Sequence, residues 1–186
     1  LSSAASDVYK RQKLYTTTYN QTGYTIINTL TNAWLVLTKK IVDPTGEDSS
    51  NIAFKFQVSG ITTDNTPINL KSGQSSTHLV KIGQSYQITE TVPNGWTLSK
   101  VEGTNGSGNG SSVAIVPGTN RVTFTNTRKT ADVRAEKKWI PESLSQDNNL
   151  NVQVQLMRNT NTRVGEPRLL NKAGGWSTTW SSLPVT

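Results

Sequence analysis

The 186-residue sequence predicts an all-β chain of tandem β-sandwich modules, one complete and two partial. Three observations carry this prediction. Short β-branched or alternating segments recur along most of the chain, as strands require. Clusters of Gly, Pro, Asn, Asp and Ser separate them, as turns require. A block of sequence also recurs without a gap at an offset of 98 residues, from Asn28 to Asn126 and from Lys39 to Lys137. No segment shows a convincing helical periodicity of useful length.

In chain order, Asp7-Val8-Tyr9-Lys10-Arg11-Gln12 reads as the in-frame translation of a transposon mosaic-end adapter. Residues 1–12 are therefore set aside from functional argument, as an expression scar would be, and are expected to be disordered. Strands are predicted over residues 35–42, 52–58, 78–82, 86–91, 113–116 and 122–126. Between them lie Asp43-Pro44-Thr45-Gly46, Lys71-Ser72-Gly73, Pro93-Asn94-Gly95 and a Gly/Ser/Asn-rich loop over residues 103–112. Each carries turn chemistry. The interleaved glycines of that loop are followed by no helix or Lys, so a phosphate-binding loop is not indicated.

The repeat compares residues 28–40 with 126–138. Asn, Thr, Ala, Lys and Lys recur in register, and Tyr24-x-Ile26-x-Asn28 matches Val122-x-Phe124-x-Asn126 in type. A period near 98 residues is the size of an immunoglobulin-like sandwich. The expected organisation is the closing strands of a preceding module over residues 13–31, a complete module over 32–129, and the first part of a further module over 130–186. The connections are very short, so successive modules are expected to string into a stiff rod.

Composition removes most other functions. The chain has no Cys and one His, His78, so disulfides, thiolate zinc sites, Cys nucleophiles, serine-type triads and multi-His metal sites lack their residues. No metal or other cofactor is expected. Net charge is +7, from 19 Lys and Arg against 12 Asp and Glu. These bases are scattered, with no run longer than Lys39-Lys40 or Lys137-Lys138, which reads as a solvated surface and not a nucleic-acid footprint. The longest apolar run, Ala33-Trp34-Leu35-Val36-Leu37, falls far short of the roughly 20 residues a membrane helix needs. His78 reads as a surface residue of a strand.

Alternation assigns the inward faces. Leu35, Leu37, Lys39 and Ile41 share one face; Val122, Phe124 and Asn126 share another; Tyr86, Ile88 and Glu90 share a third. Each apolar face thus ends in one polar residue. A strand end reaching solvent would explain any one of them. The recurrence of the Asn at Asn28 and of the Lys at Lys137, each on a matching face, speaks against three coincidences. Lys40 is the alternative to Lys39, because Trp34, Val36 and Thr38 make the opposite face moderately apolar; parity with Leu35, Leu37 and Ile41 favours Lys39.

Tyr86-x-Ile88-x-Glu90-x-x-Pro93-x-Gly95-Trp96 resembles the glutamate-box of Cna-B type, prealbumin-like domains of Gram-positive surface adhesins and pilins. Leu37-Thr38-Lys39-Lys40-Ile41 resembles their first strand, and Val122-Thr123-Phe124-Thr125-Asn126-Thr127 their last. Tyr24-Thr25-Ile26-Ile27-Asn28-Thr29 resembles a preceding closing strand. Val133-Arg134-Ala135-Glu136-Lys137-Lys138-Trp139, Val152-Gln153-Val154-Gln155-Leu156 and the Gly174 to Pro184 stretch resemble the first half of another such domain.

The resemblance implies an intramolecular isopeptide bond between Lys39 and Asn126, with Glu90 as its catalytic acid. Burial would keep the Lys amine neutral and nucleophilic and the Glu protonated. It implies neighbouring first and last strands, no multiple-turnover enzyme activity, and an extracellular, cell-wall-anchored protein whose signal peptide and anchor lie outside this sequence. Asn28 and Lys137 are then half-sites. The Leu183-Pro184-Val185-Thr186 ending looks like a sortase signal, but family position makes it a mid-domain stretch cut short. The expected function is a structural stalk module, with neighbouring repeats of the same chain as partners. The alternative is a ligand-binding module for a host matrix protein or glycan, in which Trp96, Trp176 and Trp180 would be candidate sugar platforms, although their spacing suits packing better.

Overall fold

The computed structural model describes residues 14–20, 25–103 and 111–185. Its strands are β1 (Tyr15–Asn20), β2 (Thr25–Leu30), β3 (Asn32–Val42), β4 (Phe54–Val58), β5 (Ile68–Leu70), β6 (Ser75–Lys81), β7 (Ser85–Thr91), β8 (Trp96–Gly103), β9 (Ser111–Ala114), β10 (Thr119–Arg128), β11 (Thr130–Glu136), β12 (Val152–Arg158), β13 (Thr162–Leu170) and β14 (Ser177–Pro184). Among the described residues the one helical element is a 3-10 turn, Glu142–Gln146. The architecture is all-β, as predicted. The chain divides into two compact units, one ending at Arg128 and one beginning at Lys129.

Two four-stranded sheets form the centre of the first unit, in the orders β6-β3-β10-β8 and β5-β4-β7-β9. Their inward side chains merge into one core: Leu35 and Leu37 of β3, Val122 and Phe124 of β10 and Trp96 of β8 join Phe54, Phe56, Ile88 and Val113 of the other sheet. Strict alternation produces this. Along β3, Ala33, Leu35, Leu37 and Lys39 are buried while the residues between them are half-buried. Phe56 meets Phe124 edge-on at 5.2 Å between ring centroids.

The first and last strands of this sandwich, β3 and β10, lie side by side and run parallel, with Lys39 opposite Phe124 and Ile41 opposite Asn126. Parallel neighbours cannot be joined by a tight turn. Here the whole remainder of the sandwich is the crossover between them. Asn120 fixes the start of β10, since its buried side chain accepts from Val116 N and donates to Val116 O and Trp34 O. The glutamate-box ends in a turn where Gly95 has φ 78°, a left-handed value that glycine adopts without steric cost, and Trp96 N returns to Pro93 O.

Two strands of this sandwich were not predicted, nor was β13 of the second unit, and the predicted strand starts shift by a few residues. β5 is three residues long and carries little pattern. β8 is bulged: Lys100 pairs with Thr125 but Leu98 with Asn126, leaving Ser99 unpaired in the ladder. The bulge moves the inward face from Trp96 and Leu98 to Val101, which breaks the period of two that sequence reading relies on.

β1 and β2 pair as an antiparallel two-stranded sheet, with Tyr19 and Ile26 exposed. In the second unit β11 pairs with β14 and β12 with β13. These pairings repeat β3 with β6 and β4 with β5. Leu170, Trp176 and Trp180 are its buried apolar residues, and Trp139 meets Trp176 edge-on at 5.0 Å.

Candidate functional site

Lys39 and Asn126 project into the core from adjacent strands of one sheet, and Glu90 faces them from β7 of the other. All three side chains are fully buried. Lys39 Nζ donates to Asn126 Oδ1 at 2.6 Å and lies 3.3 Å from Glu90 Oε1. It also donates to Lys40 O at 2.8 Å and Phe124 O at 3.2 Å, and sits 4.1 Å from the centroid of the Phe54 ring. Lys40 is exposed, as the parity of β3 requires.

The electrostatics follow from burial. Loss of water pushes the Lys39 amine below the usual lysine range, against the attraction of Glu90. It likewise pushes the Glu90 carboxyl above the usual range, against the pull of Lys39 and of the Asn126 amide. Both shifts favour the uncharged pair. Glu90 and Asn126 lie close enough to influence each other, yet neither Glu90 oxygen nor Asn126 Nδ2 makes a hydrogen bond of full geometry. Buried polar atoms without such bonds are uncommon in a core and are costly. In this arrangement an amine, a side-chain amide and an acid that favours its protonated form share one dry compartment. They are the components of acyl transfer from amide nitrogen to amine.

The structure brings Lys39, Glu90 and Asn126 together and leaves the two half-site residues apart from such a cluster. Asn28 is exposed on β2, where its Oδ1 accepts from Thr17 Oγ1 at 2.7 Å. Lys137 is half-buried; its Nζ donates to Lys138 O at 2.6 Å and lies 4.2 Å from the Trp139 ring centroid. Those contacts parallel the Lys39 bonds to Lys40 O and to the Phe54 ring. Residues 1–12, Tyr24 and residues 104–110 of the Gly/Ser/Asn-rich loop fall outside the described residues. His78 is half-buried on β6 and shares a 2.6 Å hydrogen bond with Ser76 Oγ. Trp96, Trp176 and Trp180 are buried, which turns them away from a role as open sugar platforms.

Sequence reading missed a polar cluster beside the site. Asp43 accepts from Thr45 N at 2.9 Å and Thr45 Oγ1 at 2.6 Å through Oδ1, and from Ser49 Oγ and Arg128 Nη1 through Oδ2. Arg128 also reaches Glu47 Oε2 at 3.0 Å. Burial alone would raise the Asp43 carboxyl, but the hydrogen bonds from Ser49, Thr45 and Arg128 outweigh it and hold it well below the usual range. The parity of Arg128 with Asn126 was a usable signal. The loop partners were not, because residues 43–49 read only as a turn.

The chain belongs to a family of prealbumin-like fold domains, whose model matches residues 35–135, just over half of the sequence. That is the family its motifs resemble. No curated protein matches the sequence. Among solved structures, the chain is similar to a pilus-presented adhesin at 21% identity, covering 52% of this chain and 27% of that one, with a TM-score of 0.38. It is similar to two B repeat units of the collagen binding protein of Staphylococcus aureus at 21% identity, covering 92% and 46%, with a TM-score of 0.33. It is similar to the major pilin of Streptococcus pyogenes at 17% identity, covering 61% and 60%, with a TM-score of 0.30. The chain thus spans between 27% and 60% of the length of these proteins.

Proposed function

We propose that residues 32–129 are a structural module of an extracellular adhesin or pilus-like protein, stapled by an amide bond between Lys39 and Asn126. The observation that carries this is the placement of Lys39 Nζ, 2.6 Å from Asn126 Oδ1 and 3.3 Å from Glu90 Oε1, with all three side chains out of water. The neutral Lys39 amine attacks Asn126 Cγ while protonated Glu90 polarises the carbonyl. A proton passes from Nζ by way of Glu90 to Nδ2, the Cγ–Nδ2 bond breaks, and ammonia leaves. One amide replaces another, so no oxidant or cofactor enters the balance. The fold holds the reactants in contact, which supplies much of the acceleration, and the reaction occurs once per molecule.

The product suits a stalk. β3 and β10 are the first and last strands of the sandwich, so a bond between them routes tension past the 87-position span from Lys39 to Asn126. A chain with no Cys gains by it what a disulfide would give. Neighbouring modules of the same chain are its natural partners, and host contacts belong to other parts of the protein.

Intact mass spectrometry of the denatured 186-residue chain tests the reading. A mass one ammonia below the sequence value is expected, with Lys39 and Asn126 in one branched peptide after proteolysis. Full sequence mass in a folded sample removes the cross-link and leaves the fold alone.

A further inference from the structure

We infer that Arg128, held by the β3–β4 loop, is the positioning residue of the cross-linking site and its seal against water; this rests on the reading just proposed. Arg128 follows Asn126 by two residues on β10 and so shares its face. It stands opposite Trp96 of β8, with its guanidinium carbon 5.8 Å from the Trp96 ring centroid. Trp96 meets Phe54 edge-on at 5.6 Å, and Phe54 in turn lies 4.1 Å from Lys39 Nζ. A continuous stack therefore runs from Arg128 at the rim to the nucleophile.

The reactive asparagine needs such an anchor. The extra residue of the β8 bulge, Ser99, falls opposite the step from Thr125 to Asn126, so the ladder to β8 is interrupted beside the residue that must present its carbonyl to Lys39. Just beyond, β10 ends, and strand ends fray. Arg128 is tied down on two sides: Nη1 donates to Asp43 Oδ2 at 3.1 Å and to Ser49 Oγ at 3.2 Å, and Nη2 pairs with Glu47 at 3.0 Å. Asp43 and Ser49 are themselves largely buried and joined to each other. A charge fixed this well, with 16% of its side chain exposed, is unlike the open Lys100–Glu102 pair on β8.

Sealing matters because water competes for the same carbon. If water attacks Asn126 Cγ, the Cγ–Nδ2 bond breaks, ammonia leaves and a carboxylate remains at position 126 with Lys39 unbonded. Excluding water commits the ammonia-releasing step to the amine. Arg128 thus governs both the rate and the ratio of cross-link to acid.

The test is cell-free synthesis of the full chain, with intact mass and peptide mapping at intervals. Arg128→Ala and Asp43→Asn are each expected to slow cross-linking about 10- to 100-fold, the scale of a small misplacement of reacting groups. Each is expected to yield acid at position 126 that carries label from isotopic water. Arg128→Lys keeps a cation without the fork and is expected to recover part of the rate; Lys100→Ala is expected to match wild type. If Arg128→Ala does not fold, Asp43→Asn reads the same two quantities. Wild-type rate with no acid in both variants overturns the inference. So does a cross-link yield that merely tracks the unfolded fraction with no acid formed, since that is a structural role alone. A wild-type chain that never loses ammonia defeats the cross-link reading itself and this inference with it.

Discussion

Replacing Glu90 by Gln is the most informative single change. The substitution preserves shape in a fully buried position but removes the acid that shuttles the proton. Without the carboxylate, the lowered affinity of Lys39 for its proton lets the amine stay neutral, hydrogen-bonded to Lys40 O and Phe124 O. The stability lost is then chiefly that of the covalent loop. Lys39 and Asn126 are 87 positions apart, and closing a loop of that size removes about 4–5 kcal/mol of unfolded-state entropy if the chain-entropy model of a disulfide transfers. For a module of this size each kcal/mol moves the melting temperature by roughly 4–8 °C, so Glu90→Gln is expected to melt roughly 16–40 °C below wild type. Scanning calorimetry and intact mass on the same samples read both quantities. A Glu90→Gln chain still one ammonia light would refute the role of Glu90. Equal melting temperatures in cross-linked and uncross-linked chains would refute the loop argument.

Further outcomes follow from the same geometry. Lys39→Ala is expected to abolish the loss of ammonia, whereas Lys40→Ala leaves it intact and changes stability by no more than about 0.5 kcal/mol, because Lys40 is exposed; mass and thermal melts of the two variants decide it. Pulled by its ends in a force spectrometer, the wild-type sandwich is expected to show no release of the span between Lys39 and Asn126. Asn126→Ala is expected to add an extension of about 290–310 Å, the contour length of that span at full extension. Asp43 is held below its ordinary value of 3.8 in the fold, so its contribution to stability is present above pH 3.8 and is lost as pH falls through its folded value. An acid-melt series is expected to show a smaller decline below pH 3.8 for Asp43→Asn than for wild type, and identical declines would disprove the clamp's role in acid stability.

The site was more legible than the fold around it. Lys39, Glu90 and Asn126 each broke an otherwise apolar alternation, and a period-two pattern states directly which side chains enter a core. β8 was hidden because its bulge switches the inward parity from Leu98 to Val101, and β5 because three residues hold no pattern. The clamp around Arg128 was hidden for another reason. Asp43, Glu47 and Ser49 belong to a loop with no periodicity, and their partner lies 85 positions away from Asp43.

By itself, the sequence determined the strands with clean alternation, the inward parity of Glu90 and Asn126 and a preference for Lys39 over Lys40, the exclusion of thiol and multi-His chemistry, and the repeat of 98 residues. These are local properties: residue type and spacing fix which face a side chain takes and what chemistry it carries. Tertiary structure decided that β3 and β10 are parallel neighbours, that β7 crosses from the opposite sheet, and that Nζ, amide and carboxyl share one dry compartment. It also decided that Arg128 is clamped by Asp43 and Glu47 and does not sit in solvent. The reason is physical: distances and dielectric surroundings are set by which distant segments pack together, and burial, not residue identity, makes a lysine a nucleophile.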